Sequence, residues 1–332
     1  MNLQVVYASD DNYAPYMGIS MYSLLVNNNA HFDRIHVHVL DNGIGKKNRS
    51  RLNKQISKFS SAEISFHDIS QKINEIKPKH ETGWSASIFG RYFIDGIAEE
   101  GADRLLYLDC DTIVNNPLNE LIAVDIEGYV AAGVPDGWET RQKEYLGLSD
   151  EYIYANSGVL LINLKKWKSD DVQNKLIEFT NSFERKLIFP DQDTFNAVCG
   201  KSLLRLPLKY NFFQKMDISY IDAYVAKSEH SFTVDEVREA MENNYAGTVI
   251  FHFTGEKPWN KSESSKSFEK IFRSYARKSC WSYVKPKFRS ASAAFKYYFV
   301  KAEIGAFDLA HKIVGDRFYN KMKQRFKGSE EK

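Results

Sequence analysis

Residues 3–8 form a short, mostly apolar run that stops at the polar group Ser9-Asp10-Asp11-Asn12. Met17, Ser20, Met21, Leu24 and Leu25 then recur at helical spacing, so the segment reads as strand, loop and helix. The theme repeats with Ile35–Leu40 before Asp41-Asn42-Gly43, a polar helix near 45–59 and a strand at Glu63–His67. Strands separated by helices predict a parallel sheet with helices on its faces. A helix is expected near 86–99. Beyond it, Arg104-Leu-Leu-Tyr-Leu108 fits a central strand covered on both faces, and the run ends abruptly at Asp109. Further strands are predicted at Tyr129–Val134, Gly158–Asn163 and Gly247–Phe253, with helices near 169–182 and 191–199.

Past Ser262 the pattern changes to Lys, Arg and aromatics at helical spacing. The expected organisation is therefore an α/β domain over 1–262 followed by a basic, aromatic-rich helical extension over 263–332. The net charge of +2 hides this asymmetry. Residues 265–332 carry 17 Lys/Arg against 6 Asp/Glu, a balance of +11, which leaves the preceding 264 residues at −9. Phe295–Lys301 and Arg317–Lys327 mix aromatic and basic residues, as an interfacial helix at an anionic membrane does. A helical cap with a solvated basic face suits the same composition, and no nucleic-acid partner is expected.

No stretch approaches the ~18–20 apolar residues of a membrane span. Met1–Ser9 has no basic stretch and meets Asp10 too early for a secretory apolar segment. A cytoplasmic protein is expected, at most peripheral at the inner face of the membrane. With 332 residues the chain can bury one large core or two modest ones without disulfides. Cys110, Cys199 and Cys280 are odd in number and far apart, which suits reduced thiols with no catalytic role.

In open α/β sheets ligands bind beyond the carboxyl ends of the strands, so the polar residues there are the first candidates. Ala8–Tyr13 supplies acids and an amide that suit a base or ribose, and equally an Asp-capped helix start. In Asp109-Cys110-Asp111, an extended backbone would project both acids to one face, where they could flank one ion. Two carboxylates ~4 Å apart repel by roughly 4 kcal/mol at an effective dielectric near 20, and a hard divalent cation relieves that repulsion. A capped turn is the alternative, and Asp191-Gln192-Asp193 shows that the tripeptide recurs in this chain. A strand ending in Asp-x-Asp also resembles the opening motif of haloacid-dehalogenase-type phosphatases. That motif belongs on a first strand, with a Gly-Asp-x-x-x-Asp downstream, and neither condition is met. His252, Gly255 and Lys257 form a third group, an imidazole at a strand end with a loop suited to close phosphate approach. A dehydrogenase is disfavoured because no Gly-x-Gly-x-x-Gly follows the first strand.

Taken in order, Ala8–Tyr13, Leu108–Asp111, Asn156–Leu164, Asp191–Asp193 and His252–Gly255 with Lys257-Pro258-Trp259 resemble the motifs of family 8 retaining glycosyltransferases. The resemblance covers residues 1 to about 260, and the bacterial lipopolysaccharide galactosyl- and glucosyltransferases share the pattern. It implies a GT-A Rossmann-like fold, a UDP-hexose donor and Mn2+ or Mg2+ held by Asp109, Asp111 and His252. By the same resemblance Ala8, Asp10 and Asn12 hold uridine, and Gly255 and Lys257 the diphosphate. Arg91, Asn156, Asp191 and Gln192 lie at the sugar, and Asp136 near the acceptor. The implied acceptor is a cell-envelope glycan, glycolipid or glycoprotein. Two departures stand out: only Glu256 separates Gly255 from Lys257, and Asn-Ser-Gly replaces Asn-Ala-Gly at 156–158. A non-catalytic sugar- or nucleotide-binding protein on the same fold is the alternative, though such a protein is expected to lose the metal ligands.

Overall fold

The computed structural model describes residues 1–213, 225, 231–255, 257–260 and 266–282. The chain divides into two compact units. The first, Met1–Pro258 with Ser264–Val284, holds everything discussed below. Of the second, Trp259–Glu263 with Lys285–Lys332, only Trp259 and Asn260 lie among the described residues. The membrane-facing residues expected beyond 282 therefore lie outside them.

Strand β1 (Asn2–Ser9) leads into helix α1 (Ala14–Asn28), strand β2 (Arg34–Asp41), helix α2 (Lys46–Ile56) and strand β3 (Ala62–Asp68). All three strands are parallel, and their registers bring Ser9, Asp41 and Asp68 level at one sheet end. The expected helix over 86–99 is instead a 3-10 segment at Ala86–Tyr92 followed by irregular chain. Gly96 adopts a φ of +72°, a left-handed conformation that no helix can continue through.

Strand β4 (Arg104–Leu108) pairs parallel with β1 and is central, as its uninterrupted apolar run predicts. The chain then turns into the short strand β5 (Thr112–Val114). Strand β6 (Ala131–Pro135), strand β7 (Ala155–Asn163) and strand β8 (Leu203–Arg205) complete a seven-stranded sheet of order β3-β2-β1-β4-β7-β6-β8. The sheet is mainly parallel, but β7 runs antiparallel to both β4 and β6. That reversal matters for the site. It places the start of β7, Asn156–Gly158, beside the end of β4, so that Asp109 N–H donates to Gly158 O at 2.8 Å.

Strand β10 (Ile250–His252) does not join this sheet. It lies antiparallel to β5 and parallel to β9 (Phe212–Phe213), which pairs His252 with Thr112 on one side and Phe213 on the other. The core beneath the main sheet includes Val6, Leu105, Tyr107, Leu160, Trp167, Leu176 and Phe195, all nearly inaccessible to solvent. Burying one such side chain contributes about 1.5–3 kcal/mol. The helix Lys266–Lys278 begins past the boundary expected at 262 and belongs to the first unit. It packs on α1, where Tyr275 receives a hydrogen bond from Asn27 Nδ2 at 3.0 Å.

Candidate active site

The carboxyl ends of β1 and β4 and the start of β7 lie together at one end of the central strands, and the end of β10 meets them there. Asp109-Cys110-Asp111 is a turn there, the alternative to an extended pair that the sequence left open. Thr112 closes it, its N–H reaching Asp109 O at 3.3 Å and its hydroxyl the same oxygen at 2.9 Å. Both acids nevertheless converge, because β10 delivers His252 between them. His252 Nε2 lies 3.3 Å from Asp111 Oδ1 and 3.7 Å from Asp109 Oδ2. One ligand atom from each of the three residues falls within 4.8 Å of the others.

The donor set fits a divalent cation on a structural ground. His252 Nδ1 is 3.0 Å from Asn211 Oδ1, an arrangement in which Nδ1–H donates and Nε2 turns a lone pair toward two carboxylates. With the imidazole neutral, three acceptors face one another there, an arrangement that a cation satisfies. Two carboxylate oxygens with one imidazole nitrogen are ligands suited to a divalent cation. A second group, His36, Glu63 and Glu99, could also gather around an ion, but Arg34 already pairs with both of its carboxylates.

Arg91 is 5% exposed and bridges Asp109 and Asp191. Its Nη2 lies 2.9 Å from Asp109 Oδ1 and 2.7 Å from Asp191 Oδ2, and Nη1 donates to Ser157 O. Its guanidinium stacks 4.6 Å above the Tyr107 ring, and the Tyr107 hydroxyl donates to Asp109 Oδ1 at 2.9 Å. Burial opposes the Arg91 charge, but Asp109 and Asp191 outweigh it and raise its pKa further. Asp191 is raised above the usual carboxylate range by burial, with Arg91 offsetting part of that and Asp109 adding to it. Asp111 goes the other way: burial would raise it, but the Lys257 ammonium beside it, ahead of the neighbouring His252, holds it well below that range. Lys257 pairs with Asp111 and also donates to Phe253 O at 2.6 Å.

The helix Pro190–Cys199 brings Gln192 to the same place. Its Nε2 donates to Asp136 Oδ2 at 3.2 Å and Tyr154 Oη at 3.3 Å, while Oε1 accepts from Ser157 N–H at 3.2 Å. Asn156 Nδ2 donates to the same Asp136 oxygen at 3.1 Å. Asp136, Asn156 and Gln192 are thus one hydrogen-bonded group, and Asp191 joins it through Ser157, whose hydroxyl donates to Asp191 Oδ2 at 3.3 Å.

At the end of β1, Ala8 O accepts from Cys110 Sγ at 3.2 Å. Asp10 Oδ1 accepts from the Asn12 and Tyr13 amides at 2.9 and 3.0 Å, so this acid does organise the turn into α1. Asn12 is exposed beside it, and Gly255 lies in the exposed loop after β10. Tyr13 stands close to the acidic turn: burial, and then Asp111, raise its pKa to about 12.

Sequence reasoning passed over Tyr107, Ser157, Tyr154 and Asn211. Tyr107 lies two residues before Asp109, and strand periodicity could have placed both on one face. Asn211 carried no such signal.

The fold matches the galactosyltransferase LgtC, solved with donor and acceptor sugar analogues, at a TM-score of 0.67 and 24% identity over 84% of this chain and 96% of that one. The class is therefore the GT-A glycosyltransferase fold. The pattern of glycosyl transferase family 8 matches residues 4–263, and the chain belongs to that family. Among its relatives, general stress protein A of Bacillus subtilis strain 168 is 29% identical over 78% of this chain and 88% of its own length. A lipopolysaccharide 1,2-glucosyltransferase of Escherichia coli strain K12 is 29% identical over 78% of this chain and 73% of its own. Among the described residues no helix is long and apolar enough to cross a membrane.

Proposed function

We propose that this family 8 glycosyltransferase moves a glucose or galactose from a UDP-sugar to a hydroxyl of a cell-envelope glycan, glycolipid or glycoprotein, keeping the anomeric configuration. The observation that carries the reading is the convergence of Asp109, Asp111 and His252 beyond the carboxyl end of central strand β4, joined through Arg91 to Asp191. Asp109, Asp111 and Asp191 bring three negative charges against two from Arg91 and Lys257. A divalent cation reverses that imbalance, and a diphosphate then restores it. The named relatives include a glucosyltransferase and a galactosyltransferase, so the donor is left between these two hexoses.

Asp109, Asp111 and His252 would hold Mn2+, or Mg2+ in its place. When bound, the cation supplies charge neutralisation at the departing diphosphate. Lys257, tied to the same turn, would add a positive charge beside the diphosphate together with the close backbone of Gly255. Ala8, Asp10 and Asn12 would hold uridine, since their loop opens beside the acidic turn. Arg91, Asn156, Asp191 and Gln192 would orient the sugar, and Asp136 would stand at the acceptor side.

Retention requires a nucleophile beneath the anomeric carbon or attack from the leaving-group face. Both polar ends of the Gln192 amide are already engaged, with Asp136 and Tyr154 on one side and Ser157 N–H on the other. An amide is a weak nucleophile, and one so engaged is weaker still. Same-face attack, with the leaving phosphate taking the acceptor proton, is the reading this supports.

The division at 262 into catalytic domain and basic extension belongs to the same proposal. Cytoplasmic residence and contact of 263–332 with an anionic membrane rest on sequence composition alone. Incubation with a panel of UDP-sugars, with Mn2+ or with a chelator, tests the function. UDP release confined to one hexose and to Mn2+ supports it. Intact Mn2+ binding with no release from any donor would favour a binding protein instead.

A further inference from the structure

Asn211 is fully buried, and both ends of its amide are used. Its Oδ1 faces His252 Nδ1 at 3.0 Å, and its Nδ2 donates to Asn156 Oδ1, also at 3.0 Å. The direction of these bonds follows from chemistry further along the chain of contacts. An ionised Asp136 carboxylate can only accept, so the Asn156 group 3.1 Å from it must be the NH2 end. Asn156 Oδ1 is then turned away, where it also accepts from Gly158 N–H at 3.1 Å. That backbone donor fixes Asn156 the same way round independently of Asp136. An oxygen at that position calls for the NH2 end of Asn211, which leaves Asn211 Oδ1 for the imidazole. His252 Nδ1 must therefore carry a hydrogen, which in the neutral imidazole leaves Nε2 bare.

We infer that Asn211 is a positioning residue for His252, and that Asp136, Asn156 and Asn211 form a directional hydrogen-bond relay that fixes the imidazole tautomer presenting Nε2 to Asp109 and Asp111. The inference rests on the metal-dependent reading of the site and adds a link to it. The acceptor-side carboxylate Asp136 and the metal-side imidazole are ends of one network. Outer partners of this kind set ligand orientation, and their loss typically weakens metal affinity by about 10–100-fold.

The two Asn211 substitutions separate the two ends of the amide. Asn211→Leu keeps the approximate size and removes both bonds. Asn211→Asp keeps an acceptor for His252 Nδ1–H and removes the donor to Asn156. Mn2+ affinity, read by electron paramagnetic resonance without donor sugar, is expected to fall about 10–100-fold in Asn211→Leu and to stay within about threefold of wild type in Asn211→Asp. Long-range 15N–1H correlation on the metal-free wild-type chain reads the tautomer directly, with His252 assigned by its absence from His252→Gln. A hydrogen on Nδ1 supports the relay. A hydrogen on Nε2 alone, or unchanged Mn2+ affinity in a folded Asn211→Leu, overturns it. Wild-type protein that binds no Mn2+ would instead sink the metal-dependent reading, while the spectrum would still decide the relay.

Discussion

Gly158 and His252 are in such close contact that a Cβ on Gly158 would lie 2.2 Å from His252 Cε1 and 2.9 Å from Nδ1. It would also come within 2.7 Å of Asp109 Oδ2. Gly158 is held by its neighbours in β7, so the imidazole has to give way. Gly158→Ala is therefore expected to weaken Mn2+ affinity at least about tenfold, with the fold retained. Calorimetric titration with far-ultraviolet circular dichroism checks this, and an unchanged affinity would show that the site tolerates displacement of the ring.

Arg91 is the buried counter-ion of two partly buried acids. Arg91→Ala leaves Asp109 and Asp191 without it, and breaking a buried pair in this way costs about 3–5 kcal/mol. The midpoint of urea unfolding should drop accordingly. Arg91→Lys should recover part of that stability, but a single ammonium lacks the fork that reaches Asp109, Asp191 and Ser157 together. A loss below about 1 kcal/mol in Arg91→Ala would mean that the pair behaves like an exposed one.

Gln192 has its amide engaged by Asp136, Tyr154 and Ser157, which points to a structural hold on the sugar site and against covalent attack. Gln192→Ala is expected to lower kcat about 10–100-fold while the residual product keeps its anomeric configuration. Proton NMR of the product distinguishes the cases. Complete loss of transfer with donor binding intact would favour a nucleophilic amide, and undiminished turnover would remove Gln192 from the mechanism.

Acid sensitivity should originate away from this site. His38 Nε2 is 2.7 Å from Gln4 Oε1 and its Nδ1 is 3.1 Å from His67 Nε2. Burial, and then the neighbouring His36 and His67, push its pKa down to about 3, against a small opposing effect of Glu99. His67 is lowered too, mainly by burial. The unfolded chain takes up these protons at about pH 6.5, before the folded chain does. Stability is thus fully present above about pH 6.5 and is lost as pH falls toward 3, by up to about 1.4 kcal/mol per pH unit for each group. Thermal unfolding between about pH 7.5 and about pH 5 should show the loss, and His38→Gln should flatten it. Equal slopes in both proteins would contradict this origin.

Much of the site could be read from sequence because each strand end announces itself. The apolar runs before Ser9, Asp41 and Asp109 stop at polar residues, and the structure puts all three at the same end of the sheet. Strand direction was harder. A continuous apolar run such as Gly158–Asn163 reports burial on both faces and says nothing of orientation, so the reversal of β7 was hidden. So was the small sheet of β5, β9 and β10, whose two- and three-residue strands are too short for any periodicity. Asn211 escaped notice for the same reason: its role depends on contacts with His252 and Asn156, 41 and 55 positions away.

The central claim is that Asp109, Asp111 and His252 hold one divalent cation. Calorimetric titration of Mn2+ into the wild-type chain, Asp109→Asn and Asp111→Asn, each with UDP present, tests it most directly. One Mn2+ per wild-type chain and a loss of at least about tenfold in affinity in both variants is the expected result. Binding of equal stoichiometry and affinity in all three proteins would contradict it.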